Sequence, residues 1–246
     1  MLSGKPWKLE AVLFFFAGVL SCIFLGMLAT LALKALFPQW PVADRTFYEF
    51  LAGTIGLQLM PLVLAQVFLR QHEVTWGELL GRHRPPVGGA LVRAVLVAAL
   101  AVPMALILNE FSHIVVSALQ AKPAEMQPSM QVLELSYTLG RRILFSVAAL
   151  ILAPVTEEVL FRGVLYAAIK EGGYPRLAMY GTSILFAAIH GSWMTLLPLT
   201  FFALVQVLLY ERTGGLFAPI VAHASFNAAN VFFYFLRHDA PAQGTK

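Results

Sequence analysis

The chain has 246 residues, 59% of them hydrophobic and only 12% charged, with a mean hydropathy of +0.76 and a formal net charge of +4. A soluble domain carries about 25% charged residues, so this composition excludes an ordinary soluble fold and predicts an all-α, polytopic transmembrane helical bundle of about seven or eight helices. The surplus of Lys and Arg reads as loop charge on a membrane protein, with no nucleic-acid partner; the single cysteine, Cys22, excludes an internal disulfide and a thiolate metal cluster.

Lys5 and Lys8 precede the first apolar run, residues 11–33, which contains no charge and is too long for a signal-peptide core. It reads as an uncleaved first span. Further runs cover residues 50–69, 88–108, 143–169, 177–189, 193–210 and 216–236. They do not alternate in hydropathy, which excludes a barrel. Run 177–189 is short for a span; it either borrows Pro175 and Arg176 or ends at membrane depth inside the bundle. Between the third and fourth runs lies a polar stretch, residues 109–142. Its first part places Phe111, Ile114, Val115, Ala118 and Leu119 on one helical face, as in a helix lying along the interface, before Pro123 and Pro128 break it.

This divides the chain into N-terminal transmembrane helices with an amphipathic connecting segment (1–141), a helical core (142–236) and a tail (237–246). Lys and Arg are more numerous on the N-terminal side (Lys5, Lys8, Arg70, Arg82, Arg84, Lys170, Arg176, Arg212), favouring that side as cytoplasmic, although Arg141 and Arg142 oppose it. Short loops and small size suit a prokaryotic plasma (inner) membrane.

The first three runs are almost free of ionisable groups; Arg93 sits near an end and can snorkel. The fourth is different: Glu157, Glu158 and Arg162 fall well inside it, each costing at least ~2.5–3.5 kcal/mol at a bilayer centre unless paired or facing a water-filled cavity. Glu158 and Arg162 are i, i+4 and share a face, while Glu157 projects about 100° away and remains available for proton transfer. His190 ends the fifth run. His223 and Asn227, again i, i+4, share a face of the seventh. The remaining histidines, His72, His83, His113 and His238, lie in loops or near run ends.

An acid, two imidazoles and a carboxamide fit water-mediated amide hydrolysis. Glu157 would be the general base, and His190 would help hold and polarise the water. His223 and Asn227 would donate to the developing oxyanion, with Glu158 and Arg162 holding the arrangement. Glu157, His190 and His223 are also a chemically reasonable zinc set, although the sharper HExxH signature is absent. Two other readings stay open: a proton-coupled carrier using the buried groups as a relay, and a non-catalytic membrane scaffold or immunity protein in which the polar cluster is structural.

Glu157-Glu158-x-x-x-Arg162, Phe186-x-x-x-His190 and His223-x-x-x-Asn227, in that order and each on an expected span, resemble the three signature motifs of the CAAX protease and bacteriocin-processing family (CPBP, or Abi). The resemblance covers about residues 142–235. It implies an intramembrane endopeptidase acting on a membrane-anchored or lipidated protein or peptide in the lipid bilayer. It further implies Glu157 as the catalytic glutamate, His190 as its water-activating partner and His223 with Asn227 as the oxyanion site. No cofactor is required under that resemblance, zinc being the alternative. Some members of the family act as scaffolds.

Overall fold

A computed structural model describes residues 7–81, 87–120, 128–136 and 138–238. Lys5, Arg82, His83, Arg84, Lys122, Pro123 and most of the expected tail lie outside the described residues. Every regular element described is helical: α1 (Leu9–Leu36), α2 (Val42–Gln71), α3 (Trp76–Leu79), α4 (Val87–Gln120), α5 (Pro128–Glu134), α6 (Leu139–Glu171), α7 (Leu177–Ala188), α8 (Trp193–Thr213) and α9 (Phe217–His238). α1, α2, α4, α6 and α8 are each long and apolar enough to cross a bilayer, and the chain is an integral, multi-pass membrane protein. α9 is as long as α8, but His223, Asn227 and Asn230 interrupt its apolar run.

One expectation changes and another is met. Residues 109–120 do not form a separate interfacial helix: α4 continues unbroken for 34 residues, about 51 Å. Asn109, Glu110, Ser112 and His113 are polar but none of them stops a helix. Helical conformation around α7 begins at Pro175, so the short run does borrow the two residues before it. Proline suits the first helical turn because its missing N–H would have no partner there. Even so, α7 is too short to cross ~30 Å of hydrocarbon alone.

In lipid, outward positions are as apolar as inward ones, so side-chain size decides which face packs. On α4 the buried stripe is alanine: Ala94 and Ala98 meet Leu209, Ala218 and Ala222, while Ala101 and Ala105 meet Phe202 and Phe226. Larger neighbours such as Leu91, Val92 and Leu96 face outward. α1 and α2 cross where Gly26 and Gly56 touch; a Cβ on Gly56 would stand 2.7 Å from the Gly26 Cα. At the N-terminal side, the turn after α3 docks on the α8–α9 turn through Leu216 N–H to Leu79 O (3.1 Å) and Phe217 N–H to Leu80 O (3.3 Å).

α6 is the central helix, and its geometry is irregular for a local reason. Pro154 has no N–H, and its ring would collide with a carbonyl one turn back in a regular α-helix. The chain widens into a π-helical turn at Ala148–Leu152 just before it. A second π-helical stretch, Val159–Tyr166, follows the short α-helical segment Ala153–Glu158. The two glutamates thus sit on a tight turn between two widened ones, a distortion frequent at functional sites. Pro61 ends a similar π turn, Ile55–Leu59, in α2.

Candidate active site

Glu158 and Arg162 are both fully buried, at 0% and 1% exposure. Arg162 Nη1 donates to Glu158 Oε1 at 3.0 Å, Nη2 donates to the Ala203 carbonyl at 3.1 Å, and the guanidinium lies over the Phe186 ring, 4.9 Å from its centroid. The cation is therefore met by a carboxylate, a carbonyl dipole and an aromatic face, which offset its desolvation. Glu158 Oε1 collects two further contacts, from Gln206 Nε2 at 3.2 Å and from His223 Nδ1 at 2.9 Å. Gln206 Nε2 also donates to the Pro219 carbonyl at 2.7 Å, tying α8 to the first turn of α9.

His223 lies between the two glutamates. With Nδ1–H donated to Glu158, its Nε2 faces Glu157 Oε2 at 3.7 Å. That separation is too long for a direct hydrogen bond. Glu157 is the more open acid, its side chain 25% exposed against 0% for Glu158. Glu157 Oε2, Glu158 Oε2 and Gln206 Oε1 are buried and make no hydrogen bond among the described residues. Three acceptor oxygens thus remain in one region of the α6–α8–α9 interior.

His190 stands in the exposed turn that follows α7, just before Gly191 with φ +67°. Its Nδ1 pairs with the Phe186 carbonyl at 2.7 Å, and its ring packs 4.9 Å from the Phe186 ring. Phe186 also touches His223, at 5.9 Å between centroids, and so stands between the exposed imidazole and the buried one. The structure brings Glu157, Glu158, Arg162 and His223 into one cluster and joins His190 to it through this ring. Asn227 lies one turn beyond His223 and donates Nδ2–H to the Ala149 carbonyl at 2.8 Å. In the π register, Ala149 would accept from residue 154, and Pro154 has no N–H to give. Asn227 therefore satisfies a carbonyl that the proline leaves open, and its amide retains a second N–H.

Gln206 is the group that the sequence reading passed over. Its signal was available: a carboxamide in the otherwise apolar run of α8, where an unpaired polar group is costly. Among the described residues no three His, Cys, Asp or Glu side chains are grouped so as to hold a metal ion.

Residues 139–229 match the family model described as type II CAAX prenyl endopeptidase Rce1-like. The match begins with α6 and ends two residues past Asn227, so it contains every member of the cluster. Over 82 residues the chain is 33% identical to "Uncharacterized protein YpbD" of Bacillus subtilis, covering 32% of this chain and 39% of that one. Over 84 residues it is 30% identical to "Putative membrane peptidase YdiL" of the same organism, covering 34% of each. Over 119 residues it is 33% identical to an "Uncharacterized 24.3 kDa protein" of Escherichia coli, covering 46% of this chain and 54% of that one. The chain thus spans between 34% and 54% of the length of these curated relatives. No solved structure matches it significantly.

Proposed function

Because its α6–α9 segment carries an Rce1-like region over residues 139–229, we propose that this chain is an intramembrane endopeptidase. It hydrolyses a peptide bond in a membrane-anchored or lipidated protein or peptide, in a prokaryotic plasma membrane. The observation that carries the reading is the asymmetry of two adjacent glutamates sharing one imidazole. Glu158 is saturated with donors on one oxygen and fully buried, whereas Glu157 is partly open and faces Nε2 across a gap of 3.7 Å. One acid is built to hold and the other is left to react.

In this mechanism Glu157 takes a proton from water as the oxygen attacks the scissile carbonyl, and His190 helps orient that water. The tetrahedral oxyanion is met by His223 and by the second N–H of Asn227. Glu158 already holds the Nδ1 proton of His223, so donation from Nε2 requires the imidazolium form. Collapse of the intermediate expels the amine, which receives the proton held by Glu157. Arg162, Glu158 and Gln206 fix the imidazole by anchoring α6, α8 and α9 to one another. Water and protein residues supply every proton and nucleophile in this sequence, and no step is routed through a metal.

The same buried network could serve a membrane scaffold, since its hydrogen bonds also staple three helices. Comparing the termini of membrane-anchored proteins in cells carrying the wild-type chain, Glu157→Ala or His190→Ala separates the readings. The protease reading expects both variants to lose the same cleavage products while inserting at wild-type levels. Processing retained by both defeats the mechanism, and equal loss of folded protein favours the scaffold. Proton-dependent flux through liposomes would favour a carrier.

A further inference from the structure

Away from the glutamate cluster, the end of α6, the start of α7 and the end of α8 border an open, shallow pocket of about 720 Å³ whose lining includes Tyr166, Lys170, Arg176, Met179, Tyr180 and Glu211. Lys170 lies twelve residues beyond Glu158 along α6, so this is a separate place in the fold.

Glu211 is the one carboxylate among the lining residues. It accepts the Tyr166 hydroxyl at 3.0 Å and pairs with Lys170, whose ammonium also lies 5.7 Å from the Tyr166 ring centroid. Glu171 does not line the pocket. Arg176 is exposed and has no ion pair among the described residues. Lys170 and Arg176 against Glu211 leave one net positive charge in the lining. The Arg176 guanidinium, the N–H groups of Lys170 not given to Glu211 and the Tyr180 phenol suit a phosphate oxygen.

The surroundings say what carries that phosphate. Tyr174 and Tyr180 are 64% and 51% exposed at this end of the bundle, where tyrosines of membrane proteins meet the headgroup layer. From the pocket, Leu177, Tyr180 and Ile184 follow at i, i+3 and i+7 along the outer face of α7, all more than half exposed. They form an apolar lane running from the charged pocket toward the bilayer interior. A free anion has no use for that lane, whereas an acyl chain does.

We infer that this pocket binds the phosphate of an anionic phospholipid, with an acyl chain laid along Leu177, Tyr180 and Ile184. The single negative charge of a phosphodiester balances the net charge of the lining. The site is independent of the proteolytic reading and would exist in a scaffold as well.

The test is a native mass spectrometry titration of the full chain in neutral detergent with dihexanoyl phosphatidylglycerol. Parallel titrations use dihexanoyl phosphatidylcholine, inorganic phosphate and an oligoglutamate peptide. Saturable phosphatidylglycerol binding is expected, weakened about fivefold by Arg176→Gln, an exposed substitution that leaves the fold intact. Ile184→Ser should weaken the lipid and leave any phosphate binding unchanged. Equal affinity for phosphatidylcholine, binding unaffected by both substitutions, or no saturable binding would overturn the proposal. Inorganic phosphate binding as tightly as the lipid would make this a free-anion site, and preferential capture of oligoglutamate would make it a peptide site; either result also overturns it.

Discussion

Replacing Arg162 by methionine keeps most of the side-chain volume and removes the cation. Glu158, at 0% exposure, would then keep only Gln206 and His223 as donors, and the Ala203 carbonyl would lose the donor it takes from outside its own helix. Leaving one member of a buried pair uncompensated costs about 3–5 kcal/mol, and the two donors that remain on Glu158 place the value toward the lower end of that range. The double variant Glu158→Gln, Arg162→Met removes both charges and should recover roughly half of the loss, because the neutral amide no longer needs a cation. Reversible unfolding in mixed detergent micelles, followed by tryptophan fluorescence, reads these differences directly; Trp7 packs in the same core cluster as Val159 and Val164 of α6. A loss below about 1 kcal/mol for Arg162→Met, or strictly additive single variants, would refute the view that the pair stabilises each other inside the bundle.

Gln206→Leu removes donors to both Glu158 and the Pro219 carbonyl; it should cost about 1–3 kcal/mol in the same unfolding assay and lower cleavage through misplacement of His223. Asn227→Leu leaves the Ala149 carbonyl orphaned, with a similar loss of stability. If its second N–H also meets the oxyanion, kcat should fall by a further ~10²–10³, so stability and kcat measured together distinguish the two duties. Gly215→Ala places a Cβ 2.5 Å from the Gly81 Cα; about 1–3 kcal/mol of destabilisation is expected, measured by the same unfolding assay, as the α3 turn is pushed off the α8–α9 turn.

What could be read in advance followed the range of the interaction. Glu158 and Arg162 lie four residues apart on one helix, so their pairing is a matter of helical geometry alone. That His223 reaches Glu158 across 65 residues of chain could be guessed only from shared chemistry, because nothing local sets the distance. Gln206 escaped notice as a lone amide without a neighbour at helical spacing. The π-helical turns Ile55–Leu59 and Ala148–Leu152 come just before Pro61 and Pro154, but Pro103 and Pro198 lie inside α4 and α8 without one, so a proline in an apolar run did not by itself announce a widened turn. The packed face of α4 was illegible by hydrophobic periodicity, since its buried positions are alanines and its lipid-facing positions are leucine and valine. The continuity of α4 past Asn109 was missed because polar residues were taken for a boundary, although none of them breaks a helix.

The account rests most heavily on Glu157 as the group that activates water. Purified protein in proteoliposomes, given a membrane-anchored substrate identified from cells, can be run in ¹⁸O-labelled water, with the new carboxyl terminus weighed by mass spectrometry. The account predicts one ¹⁸O atom in that carboxyl group for the wild-type chain. For a folded Glu157→Gln variant it predicts a rate at least about 100-fold lower. A Glu157→Gln protein that cleaves at the wild-type rate would contradict it.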